Sequence, residues 1–209
     1  MSITNTYHKK YKSFAPLEIS YLSENELVNS DIRSIGKNVM IAETCKINGL
    51  GNISIGNNVI IDGNAILNCS RGSITIGDYV HIASGCHLDG EGIITLDDFS
   101  GLAPGVRIFS GTDDYTGEYL TNPTIPEEFL GVKFASVFIG RHVIIGSGAV
   151  VLPGCNIGEG SSVGALSLVT KPLDSWGVFC GIPAKRLKAR SKKLLELERQ
   201  LLSRSAKYS

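Results

Sequence analysis

The chain shows no excess of either charge: 20 lysine and arginine residues balance 20 aspartate and glutamate residues. Without a basic or acidic surplus, nothing global points to nucleic acid or to a membrane surface as a partner. No apolar run approaches the roughly 20 residues that a membrane-crossing helix needs, and the polar N-terminus does not read as a secretion signal. A cytoplasmic protein with no membrane insertion is expected. Cysteine occurs five times, an odd number, and never as C-x-x-C, which argues against a disulfide framework or a thiolate metal site. Histidine is scarce at four copies, so each can be weighed singly as a candidate base.

What is present is a period of six. Ile139, Ile145, Val151, Ile157, Val163 and Val169 follow one another without a miss. The same step links Ile35, Ile41, Ile47 and Ile53, then Ile55, Ile61 and Leu67. It returns in Ile76, Ile82, Leu88 and Ile94, and in Leu96, Leu102 and Ile108. Six fits neither one helix face nor simple strand alternation, so it marks a structural repeat. A coil that turns a corner every six residues closes a triangle in about eighteen. The apolar residue points into the prism, and a small residue two before the next one helps to fill it, as at Val80, Cys86, Ala149 and Cys155. Cys45, Cys69, Cys86 and Cys155 are therefore expected as small buried hydrophobes. The fold class is all-β, a parallel β-helix, and the hydrophobic content of 43% supports a continuous core.

Residues 1–30 lie outside the repeat as an N-terminal extension, where Ser23 followed by Glu26 reads as a capping box for a short helix through Leu27. Residues 31–171 form the prism, with coils starting at Ile35, Ile55, Ile76 and Leu96, at intervals of 20, 21 and 20. The excess falls in the polar corners Gly49-Leu50-Gly51-Asn52 and Ser70-Arg71-Gly72. From 109 to 136 the period stops, and such a loop leaving a rigid solenoid usually carries function. The repeat resumes at Ile139 and is expected to end near Val169. The remainder, 172–209, holds Trp176 between Pro172 and Pro183. It then has leucines at helical spacing over 186–204, read as a helix capping the open end of the prism.

The stretch from Val137 to Lys188, "VFIGRHVIIGSGAVVLPGCNIGEGSSVGALSLVTK" and then "GIPAKRLK", strongly resembles the hexapeptide-repeat acyltransferases, in particular the galactoside, maltose and surface-polysaccharide sugar O-acetyltransferases. The resemblance spans roughly 30–190. It implies a left-handed helix, a homotrimer with active sites between subunits, and acetyl-coenzyme A as donor. Carried over position by position, the donor contacts fall at Ala103, Ser147, Ala165, Thr170, Lys171, Lys185 and Lys188. The backbone N–H near Ser147 is the candidate oxyanion donor. Basic groups suit the phosphates, and a groove lined by backbone suits the pantetheine arm.

Acyl transfer to a hydroxyl needs a base. The related enzymes carry a loop histidine for this purpose; here that position holds Asp113, followed by Asp114, and the loop has no histidine. His8 lies in the polar N-terminus, and His142 after Gly140 reads as a solvated side chain. His81 and His87 both point outward, on adjacent faces of one coil. The family likeness also puts His81 in the acceptor pocket, so His81 is the expected base, with Asp113 or Asp114 orienting it or touching the acceptor. His87, or no histidine at all, remains open. Tyr115, Glu118, Tyr119 and Asn122 in the loop are of types that stack on and hydrogen-bond a sugar.

The function expected is acetyl transfer to the hydroxyl of a sugar, free, nucleotide-bound or lipid-linked. The alternative is N-acetylation of an amino sugar, kept open by the missing loop histidine. A zinc enzyme on this fold would need three convergent imidazoles, and His81 and His87 face apart, so no metal is expected. A scaffold would leave "SLVTK" and "PAKRLK" without purpose, and ice binding would require ranks of threonine that Thr44, Thr75 and Thr95 do not form.

Overall fold

A computed structural model describes residues 19–205, so His8 lies outside the described residues. The chain winds as a left-handed parallel β-helix whose three walls are parallel sheets. Face one stacks Ser34–Ile35, Ile53–Ile55, Ser73–Ile76, Ile93–Leu96 and Val137–Ile139. Face two stacks Met40–Ile41, Ile60–Ile61, His81–Ile82, Gly101–Leu102, Ile144–Ile145, Ser162–Val163 and Gly177–Cys180. Face three stacks Lys46–Asn48, Ile66–Asn68, His87–Asp89, Arg107–Phe109, Val150–Val151 and Leu168–Val169. The register follows the six-residue period: Ile61 pairs with Ile82, Leu67 with Leu88, and Leu102 with Ile145.

Because strand side chains alternate, each two-residue strand sends one apolar residue inward and the longer strands of face one send two, as at Ile53 and Ile55 or Ile94 and Leu96. Ile41, Ile61, Leu67, Ile82, Leu88, Ile94, Leu96, Ile108, Ile139, Ile145, Val151, Ile157 and Val169 are all fully buried. Each such burial stabilises by about 1.5–3 kcal/mol before chain entropy is charged against it. The small positions behave as expected: Val80, Cys86, Ala149 and Cys155 are buried and Cys69 is sealed, while Cys45 is half-buried. Burial pushes the Cys86 thiol up to about 11, so it packs as a hydrophobe.

The corners repeat as strictly as the walls. Between faces one and two a single residue of every coil takes a left-handed conformation: Asn38, Asn58, Tyr79, Phe99, His142, Gly160 and Trp176. Three of them stack along the edge. Tyr79 and Phe99 have ring centroids 4.7 Å apart, and Phe99 and His142 5.1 Å apart. Stacking and burial offset the conformational cost that a non-glycine residue carries there. His142 is consequently not the solvated side chain expected from sequence. It is buried, and its Nε2 lies 2.8 Å from Glu198.

The two ends also differ in part from expectation. At the N-terminal end helix α1, Glu24–Val28, has its capping box in place, and Leu27 is buried against the first coil. At the other end the repeat does not stop at Val169: Gly177–Cys180 adds a further strand to face two. Lys185–Ala189 is not helical but pairs antiparallel with that strand, whose free edge offers more backbone hydrogen bonds than a lone helical turn would. Helix α2 is thereby confined to Leu194–Ser205. Nor does α2 cover the open end. It lies against the corner between faces one and two, where Glu198 meets Arg141 and His142. Leu173, Phe179 and Ala184 pack over the end instead.

The excursion leaves face three after Phe109 and rejoins face one at Val137. It is not wholly irregular. Its neck is a small antiparallel pair, Gly111–Thr112 with Lys133–Phe134.

Candidate functional site

The corner between faces two and three gathers most of the chemistry. Its coils are knitted by a hydrogen-bond column: Gly85 N–H donates to Gly63 O, Gly105 N–H to Ser84 O, Gly148 N–H to Pro104 O, and Leu166 N–H to Ser147 O, at 2.9–3.1 Å. Ser147 and Ala165, assigned to the donor from sequence, therefore stand one above the other on a single edge with Pro104, and Ala103 lies on the same corner one residue before Pro104. Ser147 and Ala165 are exposed and Ala103 is half-exposed. Such an edge of small side chains lets a slender ligand approach the backbone closely. The N–H of Ser147 donates to no protein acceptor among the described residues, which leaves it available to an incoming oxygen.

Lys185 and Lys188 lie above this column on the terminal strand of face two, Lys185 opposite Cys180 and Lys188 opposite Val178, both exposed. Thr170 and Lys171 follow the last strand of face three and so belong to the next corner. The structure thus brings three small donor positions together beneath two lysines, and sets the other two residues apart.

Down the same edge, towards the N-terminal end, lies a cavity of about 280 Å³ lined by Ile19, Ser20, Glu43, Thr44, Gly63, Asn64 and Ser84. Beside it His81 stands on face two, paired in register with Gly101 above and Ile60 below. Its Nε2 is 2.9 Å from Asp62 Oδ2, and the Tyr21 hydroxyl donates to Asp62 Oδ1 at 3.2 Å. The His81 hydrogen bond holds the Asp62 carboxyl below its usual value, against the opposing effect of partial burial. With Nε2 engaged by a carboxylate, the ring presents Nδ1 outward, the orientation in which a neutral imidazole accepts a proton. His81 is about half exposed, so an incoming group can reach it.

The orienting carboxylate is thus Asp62, on face two, and not one of the loop aspartates expected from sequence. The stacking register held the signal. Ile61 stacks on Ile82, and Asp62, one residue on, lies diagonal to His81. Asp114 is otherwise employed. Its carboxylate accepts from Thr116 N–H and Oγ1 and from the N–H groups of Gly117, Glu118 and Tyr119, at 2.7–3.1 Å. Those bonds, chiefly from Thr116, hold its pKa far below the ordinary carboxylate range. Asp114 shapes the loop; in the single chain the residue that orients His81 is Asp62.

Asp113 is exposed at the loop neck, as are Tyr115, Glu118, Tyr119 and Asn122 farther out. His87 lies on face three, its ring edge against Phe109, a corner away from His81. Among the described residues no group of three or more histidine, cysteine, aspartate or glutamate side chains could hold a metal ion. No described helix is long and apolar enough to cross a membrane.

Comparison with known proteins identifies the family to which the fold belongs. Residues 136–171 match the family model described as bacterial transferase hexapeptide (six repeats). The dTDP-4-amino-4,6-dideoxy-D-glucose acyltransferase of Escherichia coli is 43% identical over 180 residues, covering 86% of this chain and 94% of that protein. The galactoside O-acetyltransferase of Lactococcus lactis is 33% identical over 109 residues, about half of each chain at 51%. Among solved structures, AntD, an N-acyltransferase from Bacillus cereus in complex with dTDP and 3-hydroxybutyryl-CoA, superposes with a TM-score of 0.86. It is 40% identical, and the match covers 90% of this chain and 100% of that one.

Proposed function

The chain belongs to the hexapeptide-repeat acyltransferases, and from that premise we propose that it moves an acyl group from a coenzyme A thioester to the amino group of a nucleotide-linked amino sugar. The observation that carries this reading is the likeness to an amino-sugar acyltransferase along 94% of that enzyme's length. The O-acetyltransferase likeness extends over only half. Of the two acceptors expected from sequence, the amine is accordingly the better supported. The missing loop histidine accords with it, because a neutral amine is a far better nucleophile than a sugar hydroxyl.

In this reading the donor lies along the edge built by Ala165, Ser147 and Ala103, with its phosphates towards Lys185 and Lys188 and its thioester near Ala103. Thr170 and Lys171 are kept as outer contacts of its nucleotide end. The acceptor enters from the cavity below, where Thr44, Asn64 and Ser84 offer hydrogen bonds. The amine lone pair attacks the thioester carbon, and the N–H of Ser147 stabilises the developing oxyanion. His81, oriented by Asp62, takes the proton that the new ammonium must lose. The carbon–sulfur bond then breaks, and the thiolate leaves and is protonated to free coenzyme A. Asp113 touches the acceptor, from its own chain or from a neighbour in a homotrimer.

The test is thiol release from acetyl-coenzyme A with a dTDP-linked 4-amino sugar and with its 4-hydroxy counterpart. The amine should exceed the hydroxyl by about a hundredfold in kcat/KM. Equal rates, or faster release with the hydroxyl, would restore the O-acetylation reading.

A further inference from the structure

One glycine has no structural reason to be glycine. Of the 24 glycines, every one but Gly101 either takes a positive φ or would bring a Cβ within 4 Å of another atom. Gly101 lies in a strand, its φ is not positive, and a Cβ built on it would meet nothing within 4 Å. Glycine inside a strand weakens it, and where neither turn nor packing demands it, it marks the close approach of a ligand or of another backbone.

The surroundings say which. Gly101 is in register with His81 on one side and Ile144 on the other. Every other strand of face two from Met40 to Ser162 carries an outward side chain at this rank, namely Met40, Ile60, His81, Ile144 and Ser162. Gly101 therefore opens a slot one strand wide. Strands are spaced about 4.8 Å apart, so the backbones bearing His81 and Ile144 stand roughly 9–10 Å apart across it. One wall is the imidazole and the other is aliphatic, since Ile144 is 49% exposed. The slot is too narrow for a pyranose ring with its substituents and wide enough for one extended carbon chain. It opens two residues before Ala103, where the donor edge reaches this coil.

We propose that the slot at Gly101 receives the acyl group of the thioester, and that the absence of a side chain there sets which acyl groups the enzyme transfers. This deepens the functional reading above and rests on it. Placed there, the acyl carbonyl carbon lies within reach of an amine whose proton passes to His81. The acyl chain runs along Ile144, away from the acceptor cavity. Attack by the amine and departure of the thiolate proceed as above; Gly101 contributes room and no atom to the exchange.

The experiment compares wild type with Gly101→Ala and Gly101→Val, using acetyl- and butyryl-coenzyme A. Affinity for free coenzyme A is measured by calorimetry, and association state by sedimentation. Both variants should fold, because a Cβ at this site meets no atom and both residues suit a strand better than glycine. The expected result is a loss of kcat/KM graded with side-chain volume. It should be about tenfold or more steeper for butyryl than for acetyl, with affinity for free coenzyme A held within about twofold. Equal losses for both donors would overturn the proposal. So would a matching loss of coenzyme A affinity, a change of association state, or a wild type as hostile to butyryl as Gly101→Val. A wild type that releases no thiol from any thioester refutes the functional reading instead.

Discussion

Replacing His81 with alanine removes the one imidazole that stands at the proposed reaction centre with a carboxylate already attached. A positioned base contributes about 10²–10⁴ in rate. The lower end applies here, because His81 is half exposed and an amine needs help with only one proton. The expected fall in kcat/KM is about a hundredfold, equivalent to about 2.7 kcal/mol. Asp62→Asn keeps the ring but exchanges an acceptor-only carboxylate for an amide that can donate to Nε2. The ring is then free to turn Nδ1–H outward, and about a tenfold loss follows. Since the two side chains act as one unit, Asp62→Asn in the His81→Ala background should cost less than about threefold more. The assay is steady-state thiol release at saturating donor, with the amino-sugar concentration varied. A His81→Ala enzyme within about threefold of wild type, or strictly additive losses, would refute the assignment of both residues.

Asp114→Ala should open the excursion loop without touching the prism. The amides of Thr116 to Tyr119 would exchange faster, while the global melting transition stays in place. The pH dependence of that order has a definite sign. Because the folded carboxyl is held low, its contribution is complete above the unfolded value of about 4 and is lost as pH falls towards the folded one, so protection should decline only on acidification. Glu198→Ala should release helix α2, since Arg141 and His142 both reach its carboxylate from the prism. The local cost is about 1–2 kcal/mol, read as faster exchange over residues 194–204. Replacing Lys185 and Lys188 with alanine should raise the donor's KM by more than it lowers kcat, because both stand on the outer strand, well beyond the reacting carbon; a fall confined to kcat would contradict their place on the phosphates.

The prism is legible because inward apolar residues on every face are an energetic necessity that repeats with each coil. Ile61, Ile82 and Leu102 could be stacked by counting, and the structure pairs them so. The donor edge is readable for a related reason, since Ser147 and Ala165 occupy equivalent places in successive coils and Ala103 falls on the same corner one residue earlier in its own coil. What could not be read were contacts made by segments outside the period. His142 is outward by its position in the coil, yet it is buried because helix α2, fifty-six residues on, brings Glu198 to it. Leu187 continues the helical spacing of the leucines that follow it, but an unpaired strand edge competes for the backbone of residues 185–189 and wins. Asp62 follows from the stacking rule, since Ile61 stacks on Ile82, whereas Asp114 in the loop is committed to its own turn.

The central claim is that this edge joins an acyl group to nitrogen. It is tested most directly by mass spectrometry of the product formed from acetyl-coenzyme A and a dTDP-linked 4-amino sugar, before and after mild alkali. One acetyl group per sugar is expected, retained through the alkali as an amide is. An acetyl group removed by that treatment, or an unmodified sugar beside released thiol, would contradict it.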